Sequence, residues 1–330
     1  MIAIRTLLAA MVATALSLAT AQAVELKISH QWKQGTDGRD RAARLFADEV
    51  TKRDASIKFR IYPGKSLITD EKKQLDALQD GTLEMSVYPL VYAVGKVPEF
   101  SITIMPGTVK SMDHADRLKG SAFHKKLQDI AHANGIHVLT WWWTPGGFAT
   151  KDREIAGPET VKGLKMRAAD PYMELILKDQ GASIHSMGST EIYSALQSGV
   201  LDGLMTSAES FISMRVYEQT KYATTGGDYT LFMLLQPLVM SKQHWDKLTP
   251  AQQKIFGEAA TVSEKFFNNE QRDAAKKMVE TFSKAGNKVR PLSKSEYDAW
   301  VARAKAVAWP KFGARSKDAK ELLDLIQQVQ

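Results

Sequence analysis

Arg167 is the residue in this chain whose type and position most suggest a binding chemistry. It lies in "KGLKMRAADPY", where a short β-type run alternates its side chains so that Lys165 and Arg167 share one face. Asp170 and Pro171 supply an N-cap and a first-turn proline, which predict a helix directly after the strand. A guanidinium at the carboxyl end of a sheet strand offers a planar fork of donors that matches a carboxylate. The pattern alone is equally compatible with an exposed or internally paired arginine.

The sequence carries no signature of catalysis or metal binding. The seven histidines form no metal-ligand pair with an accompanying acid, and no cysteine is present to supply a thiolate. The G-x-S-x-G elbow, the phosphate-binding loop and G-x-G-x-x-G are also missing. The formal charge of +7 is spread as mixed pairs, which argues against a nucleic-acid surface and suits an anionic small ligand. We therefore expect no catalytic residue, metal or cofactor, and an enzyme is the less favoured alternative.

The first 23 residues have the features of an export signal. Arg5 precedes an apolar run over residues 7–19, and the tripeptide "AQA" at 21–23 fits a cleavage site. The apolar run is too short to span a bilayer, so we expect cleavage after Ala23 and a soluble protein in the periplasm. An exported chain without cysteine has no disulfide framework, and its core must provide the stability.

Two series of alternating strands and helices follow the signal. The periodicity of apolar residues predicts strands in the first series over 24–30, 57–62, 83–89 and 137–143. In the second series it predicts strands over 164–168, 183–187 and 203–206. Helical spacing separates most of these strands. The β-α-β-α order predicts an α/β fold of two units with largely parallel, doubly wound sheets.

Two further segments are expected to connect these units. The apolar run "LFMLLQPLVMS" (231–241) is long for one strand and can pass from one unit to the other. Residues 249–285 keep helical spacing between the cap and first-turn proline at Thr249-Pro250 and the stop at Gly286. Such a helix would exceed roughly 50 Å at about 1.5 Å per residue, so we expect it to span both units. The predicted division is 24–144 plus about 233–265 for lobe I, and 145–232 plus about 266–330 for lobe II.

Several motifs resemble the solute-binding proteins of tripartite ATP-independent periplasmic (TRAP) transporters. "GLKMRAAD" and the following "GASIHSMGSTEIYSALQSGVLDG" match the family's G-L-K-x-R strand and its E-x-Y-x-A-L-Q-x-G-x-x-D-G motif. "IYPGKSL", "LDALQDGTLEMSV" and "KLTPAQQKIF" are similar to the family as well, so the resemblance covers essentially the whole chain after residue 23. The resemblance implies a periplasmic-binding-protein-like α/β fold. Its two lobes are joined by crossing strands and a long spanning helix, and they close on one ligand.

The resemblance also implies the residues of the binding site. In the family the arginine of G-L-K-x-R grips the ligand carboxylate, and this role falls on Arg167. The family's polar position after D-G falls around Thr206 and Ser207, where several relatives carry asparagine. Gln31, after the first strand, occupies an often polar, ligand-facing position, and Tyr88 is the candidate after the third strand. We expect substrate-binding residues from both lobes.

An apolar group is expected to complete the site. Some relatives, including sialic-acid binders, carry a second arginine in the turn after the fourth strand, but "TPGGF" (144–148) contains none. Three tryptophans at 141–143 precede this turn, and each can be either cleft lining or a packed part of an interdomain strand. Trp143, Phe148 and Phe232 are the candidates for an apolar wall. The hypothesis is a ligand with one main charge pair and an apolar or aromatic body.

These observations predict a monomeric periplasmic protein that captures an organic acid and delivers it to a TRAP-type membrane permease. Asp170 is included among the candidate ligand contacts, although we expect it to cap the helix after the strand. A receptor that feeds a sensor instead of a permease is the rival interpretation, and a periplasmic enzyme is the less favoured one. The sequence leaves open the identity of the acid, the help of a cation and an exchange of the last helix between chains.

Overall fold

A computed structural model of the protein describes residues 24–329, so the predicted export signal lies outside the described residues. Within this range twelve strands form two sheets, and none of its helices is long and apolar enough to cross a membrane. The strands are β1 (Val24–Ser29), β2 (Ile57–Tyr62), β3 (Met85–Val87), β4 (Ile136–Val138), β5 (Trp143–Thr150), β6 (Lys165–Arg167), β7 (Ser183–Ile184), β8 (Gly203–Ser207), β9 (Tyr222–Thr225), β10 (Met233–Leu235), β11 (Leu238–Ser241) and β12 (Lys288–Pro291).

The described residues also form thirteen α-helices and several short 3-10 turns. The helices are α1 (Gly38–Arg53), α2 (Gln74–Gln79), α3 (Met112–Leu118), α4 (Ala122–Ala133), α5 (Pro171–Asp179), α6 (Ile192–Gln197), α7 (Ala208–Ser213), α8 (Lys242–Trp245), α9 (Pro250–Arg272), α10 (Ala274–Lys284), α11 (Lys294–Arg303), α12 (Trp309–Gly313) and α13 (Lys317–Gln328). A π-helical segment, Ala304–Ala308, joins α11 to α12. The predicted α/β class with two sheets is confirmed.

The first sheet has the strand order β2-β1-β3-β11-β4. Strand β1 runs parallel to β2 and β3, whereas β11 runs antiparallel to β3 and β4. One core of this part lies between the sheet and α1 and α9, where Ile28, Phe46, Val50 and Phe256 are fully buried. Helix α1 buries this face because its apolar residues recur at helical spacing. We call the part of the molecule built on this sheet the first lobe.

The second sheet has the strand order β12-β9-β5-β8-β6-β7, and β10 pairs with β5. Strands β6, β7 and β8 run parallel to one another, so their carboxyl ends lie at one edge. Strand β5 is antiparallel to both β8 and β9. Helices α6, α7 and α10 supply the apolar cluster on one face of this sheet. We call the part built on it the second lobe.

The expectation of largely parallel sheets is wrong, because both sheets are mixed. The chain passes from β4 of the first sheet straight to β5 of the second, and from β10 back to β11, with no crossover helix. Parallel pairing requires a long crossover, so strands that enter directly from the other lobe are free to run antiparallel. The run over 231–241 thus contributes one strand to each sheet, β10 to the second and β11 to the first. The residue boundaries of the two lobes given from the sequence remain a prediction.

The single helix predicted over 249–285 is two helices in the structure. The start is as expected, since Thr249 and Gln252 form a capping box and Pro250 occupies the first turn. Helix α9 ends at Arg272, and Asp273 separates it from α10. Helix α9 packs on α1 of the first lobe, whereas α10 packs on α7 of the second lobe. The break at Asp273 lets α9 pack on the first lobe and α10 on the second, which a single straight helix would not do.

A histidine pair at the outer edge of the first sheet predicts a loss of stability in acid. His137 Nδ1 lies 2.7 Å from His132 Nε2, and the His137 ring stacks on Trp245 at 3.8 Å between centroids. Burial lowers the pKa of His137 from 6.5 to about 3, and the neighbouring His132 and Lys242 act in the same direction while Asp246 opposes them.

In the unfolded chain the imidazole of His137 takes up a proton near pH 6.5, whereas in the folded protein it stays neutral down to about pH 3. The free energy of unfolding is therefore unaffected by the protonation of His137 above pH 6.5. It decreases as the pH falls from 6.5 towards 3, by at most about 1.4 kcal/mol per pH unit. Urea unfolding at several pH values should show a shallower acid slope for His137→Gln than for the native chain. Equal slopes would remove His137 as the cause.

Candidate ligand-binding site

Arg167 is the last residue of β6, next to Leu204 of β8 in the second sheet. Its side chain is buried, with 1% of the residue exposed. Nε and Nη2 donate to the carbonyl oxygen of Met187 at 3.2 and 3.1 Å, and Nη1 donates to the carbonyl oxygen of Met205 at 3.2 Å. Among the described residues, no carboxylate lies within ion-pair distance of this guanidinium. Arg167 is thus a buried cation held by neutral carbonyl groups.

The surroundings of Arg167 compensate for its burial only in part. Burial lowers the pKa of the guanidinium, and Tyr92 followed by Glu174 and Glu71 opposes this effect. Arginine stays charged in proteins because its ordinary pKa is so high. A buried charge without a close counter-ion is unfavourable. An anion brought to this place would therefore gain a strong, water-poor interaction.

Residues of the first lobe reach across to the same region. Gln31, just after β1, donates from Nε2 to Ser189 Oγ at 3.1 Å and to Tyr92 OH at 3.3 Å. The Tyr92 hydroxyl donates to Ser189 Oγ at 3.1 Å and accepts from the Ser189 amide at 3.3 Å. Since Gln31 and Tyr92 belong to the first lobe and Ser189 to the second, these bonds join the two lobes next to Arg167.

Several buried polar atoms in this region have no partner among the described residues, and Gln31 Oε1 and the hydroxyl of Tyr88 are among them. Burial raises the pKa of Tyr88 far above its ordinary value, and its ring lies 6.3 Å from that of Tyr92. Buried polar groups are normally satisfied by protein, water or ligand. These atoms are consequently available for hydrogen bonds to a guest between the lobes.

Asp170 and Ser207 have structural roles as helix caps. Asp170 Oδ1 accepts from the amides of Tyr172 at 2.8 Å and Met173 at 3.4 Å, and burial raises the pKa of this carboxyl to about 6. Ser207 Oγ accepts from the Ser210 amide at 3.3 Å at the start of α7. Thr206, by contrast, is buried but makes no side-chain hydrogen bond to another described residue. Thr206 therefore keeps its hydroxyl for a ligand, and the second carboxyl oxygen of Asp170, Oδ2, is buried without a geometric hydrogen-bond partner among the described residues.

The aromatic candidates all lie in the core. Phe148 stacks on Trp300 of α11 at 5.1 Å between ring centroids. Phe232 covers Gly146: a Cβ placed on that glycine would lie 2.0 Å from the Phe232 ring. Trp143 is buried beside Trp141, with 6.3 Å between ring centroids, and its indole N–H has no partner among the described residues. The segment 144–148, which was expected to be a turn and has no second arginine, is thus part of strand β5 and is covered at Gly146 by an aromatic ring.

A groove of about 240 Å³ opens between the lobes beside this group. It is lined by Tyr92 and Val91 from the first lobe and by Ala168, Glu174 and Met187 from the second. This volume is below the range of about 300–1,000 Å³ that is common for drug-sized ligands, and it fits a small organic molecule. In residues 24–329, no group of three His, Asp or Glu side chains has a metal-binding arrangement.

Four residues of this region were not identified from sequence: Tyr92, Ser189, Lys65 and Glu71. Lys65 Nζ pairs with Glu71 Oε2 at 2.8 Å and donates to Thr190 Oγ1 of the second lobe at 3.3 Å. The i, i+4 spacing of Tyr88 and Tyr92 in "YPLVY" was an available signal. The other contacts depend on how the lobes meet, for which local sequence patterns give no indication.

Comparison with protein families and relatives gives a consistent result. The family model described as DctP, bacterial extracellular solute-binding protein, family 7, matches residues 28–314. A solute-binding protein of Albidiferax ferrireducens is 40% identical over 322 residues, which cover 95% of this chain and 94% of that protein. The C4-dicarboxylate-binding periplasmic protein DctP of Rhodobacter capsulatus is 27% identical over 308 residues, 90% of each chain.

Solved structures show the same architecture. A TRAP periplasmic solute binding protein from Rhodoferax ferrireducens, crystallised with bound malonate, aligns with a TM-score of 0.90 and 39% identity. The alignment covers 92% of this chain and 98% of that one. DctP7 of Bordetella pertussis, a receptor binding pyroglutamic acid, aligns with a TM-score of 0.81 at 20% identity, which supports the fold alone.

Proposed function

This chain belongs to family 7 of the bacterial extracellular solute-binding proteins, the TRAP type, and from that premise we propose that Arg167 captures the carboxylate of a small organic acid. The family is periplasmic, binds small carboxylates and works with membrane permease subunits. We propose that this protein delivers its acid to a TRAP-type permease after export and removal of residues 1–23. The two lobes close over the acid, and their opening releases it.

One observation carries the proposal: Arg167 is buried between the lobes with no carboxylate partner among the described residues. A purely structural arginine in such a place would be expected to have an acidic partner, because an unpaired buried charge costs several kcal/mol. A ligand carboxylate supplies that partner and accepts bidentately from the guanidinium fork. Gln31, Tyr88 and Thr206 offer polar atoms for a second ligand group.

We propose an acid with one carboxylate and a compact apolar body as the ligand. Glu174 and Glu71 are acidic groups whose charges act on Arg167, and a second ligand carboxylate would be repelled by them. Lys65 does not offset this, because it is already paired with Glu71. Phe232 fills the space over Gly146, so this side of the site is apolar. We propose that Trp143 and Phe232 bound the apolar part of the site and that Phe148 supports them from the core.

A short dicarboxylate is the second candidate. The relative from Rhodoferax ferrireducens was crystallised with malonate, and it is 39% identical to this chain. Malonate has few atoms, so it needs less space between the lobes than a drug-sized ligand does. Its second carboxylate would then have to accept hydrogen bonds from neutral donors such as Gln31 or Thr206 rather than form a second ion pair.

A thermal-shift panel followed by calorimetric titration tests the proposal. The acids are isovalerate, phenylacetate, pyroglutamate, malonate, succinate, L-malate and D-galacturonate. Phenylacetamide and malonamide serve as neutral controls of the same shape. We expect the charged apolar acids to raise the melting temperature and the amides to have no effect, because the amides cannot form the ion pair.

The outcomes separate the candidates. Stabilisation by isovalerate, phenylacetate or pyroglutamate alone supports the apolar monocarboxylate. Stabilisation only by malonate, succinate or malate replaces it with the dicarboxylate, while Arg167 keeps its role. Equal stabilisation by acid and amide, or binding that persists when Arg167 is replaced, removes the Arg167–carboxylate pair.

A further inference from the structure

The turn formed by Gly188, Ser189 and Thr190 in the second lobe lies against the first lobe. We call it the 188–190 turn. Ser189 bonds with Gln31 and Tyr92 of the first lobe, and Thr190 Oγ1 accepts from Lys65 Nζ at 3.3 Å. Gly188 and Ser189 are buried although they stand at the start of a short surface 3-10 helix, Ser189–Glu191. Residues of the opposite lobe contribute to this burial, together with Glu191 of the turn's own helix.

Glu71 of the first lobe makes the closest approach to this turn. It is 4% exposed; Oε2 pairs with Lys65, and Oε1 has no hydrogen-bond partner among the described residues. A Cβ placed on Gly188 would lie 1.8 Å from Glu71 Oε1. Gly188 has φ −63°, which any residue adopts, so its backbone conformation does not require glycine. The close approach of Glu71 across the lobe boundary is the only reason visible in this geometry for a residue without a side chain.

We propose that Glu71, Lys65 and the 188–190 turn form a latch that holds the two lobes together when the protein closes. This inference rests on the proposed function, since it assumes closure over a bound acid. The latch consists of protein groups alone, so it stabilises the closed form whatever the acid is. Gly188 and Glu71 are positioning residues: they set the fit of the lobes around Arg167 and do not themselves bind the acid.

The charges of the latch keep it reversible. Burying Glu71 on closure removes water from a carboxylate, and the pair with Lys65 offsets only part of that cost because Oε1 stays unpaired. On opening, Glu71 and Lys65 regain water. The bond from Lys65 to Thr190 favours closure while the partly unpaired Glu71 opposes it, so the lobes can separate again and release the acid.

A double-mutant cycle on Gly188 and Glu71 tests the latch. Gly188→Ala adds a methyl group that collides with Glu71 only when the lobes are closed. Because Glu71 is buried and paired with Lys65, it cannot turn aside without losing that pair, so the variant should need about tenfold more acid for half-closure. In Glu71→Ala the carboxylate that collides with this methyl group is absent. The double variant Glu71→Ala/Gly188→Ala should therefore reach half-closure at the same acid concentration as Glu71→Ala alone.

Closure is measured as a distance between the lobes. The chain has no cysteine, so Lys96→Cys on the first lobe and Lys178→Cys on the second accept one spin label each. Both lysines are exposed and lie outside the latch. Pulsed electron paramagnetic resonance then follows the distance as isovalerate, phenylacetate, pyroglutamate or malonate is added. Urea unfolding of ligand-free Gly188→Ala should match the native chain, because the open lobes have no collision.

The results distinguish the latch from the proposed function. A tenfold shift for Gly188→Ala that disappears in the Glu71→Ala background supports the latch. Closure of Gly188→Ala at the native concentration, or a full additional loss in the double variant, overturns the latch and leaves Arg167 as the carboxylate site. If no acid of the panel changes the native distance, the proposed function fails and the latch fails with it.

Discussion

Arg167→Met is expected to weaken binding of the native acid by two to three orders of magnitude, while the ligand-free protein keeps its stability. Removing one partner of a buried charge pair costs about 3–5 kcal/mol, and about 1.4 kcal/mol corresponds to tenfold in affinity. Among the described residues Arg167 has no acidic partner: it donates to the carbonyl oxygens of Met187 and Met205 and bonds with Tyr92. Losing those bonds costs about 1 kcal/mol each, and relief from burying a charge offsets this. Calorimetric titration and urea unfolding measure the two effects separately.

Two further variants make this result specific to the guanidinium fork. Arg167→Lys keeps the charge but loses the planar pair of donors, so its affinity should fall between those of the native chain and Arg167→Met. Arg153→Met removes an exposed arginine of the same lobe and should leave the affinity unchanged. A structural arginine would behave differently: Arg167→Met would then lower the unfolding free energy by several kcal/mol. That pattern, with affinity preserved, would contradict the proposed role.

Only those residues of the candidate site that belong to a recognisable local sequence pattern could be predicted. Arg167 was singled out because a strand, a cap and a first-turn proline lie within a few residues of it, and its role came from the resemblance of "GLKMR" to the family motif. Asp170 and Ser207 show the limit of such patterns, since a polar residue before a helix can cap it or bind a ligand. The structure assigns both of them hydrogen bonds within their own helix starts.

The contacts across the lobes could not be predicted from sequence. Gln31 and Ser189 are 158 residues apart, and Tyr92 and Ser189 are 97 apart. Nothing in the local sequence of Ser189 indicates which residue of the other lobe it meets. Gly188 likewise has no local sequence pattern that indicates a contact with the other lobe. Its closeness to Glu71 appears once both lobes are placed.

The fold, like the site, could be predicted where local sequence patterns determine it and not where packing between distant residues does. Strands β1 and β2 alternate apolar and polar residues, and their predicted bounds differ little from the observed ones. Strand β5, "WTPGGFAT", was predicted only at Trp143, because its glycines and proline favour a turn by composition. It is a central strand because Gly146 and Gly147 lie against Phe232 and the Thr224 carbonyl, where a side chain would collide. Such a constraint comes from packing, not from local propensity.

Arg39→Ala is expected to lower the free energy of unfolding by about 3–5 kcal/mol, since it leaves a buried carboxylate without its partner. Arg39 and Asp37 are both 0% exposed. Arg39 Nε donates to Asp37 Oδ1 at 2.8 Å, and Nη2 donates to Oδ2 at 2.7 Å. Its Nη1 donates to Gln236 Oε1 at 2.9 Å and to Ser210 Oγ at 3.2 Å. Arg39 thereby joins α1 to the crossing segment between β10 and β11 and to α7 of the second lobe.

Two control variants distinguish the effect of breaking the buried Arg39–Asp37 pair from the effect of removing any charged side chain. Lys52→Ala, on the same helix with a side chain 68% exposed, should change stability by less than about 1 kcal/mol. Asp37→Asn/Arg39→Met removes both charges and keeps a capping oxygen at residue 37, so it should recover much of the loss. If Arg39→Ala costs no more than Lys52→Ala, the pair has no stabilising role. If the double variant recovers stability but closes poorly on its acid, Arg39 instead serves to fix the crossing segment relative to the second lobe.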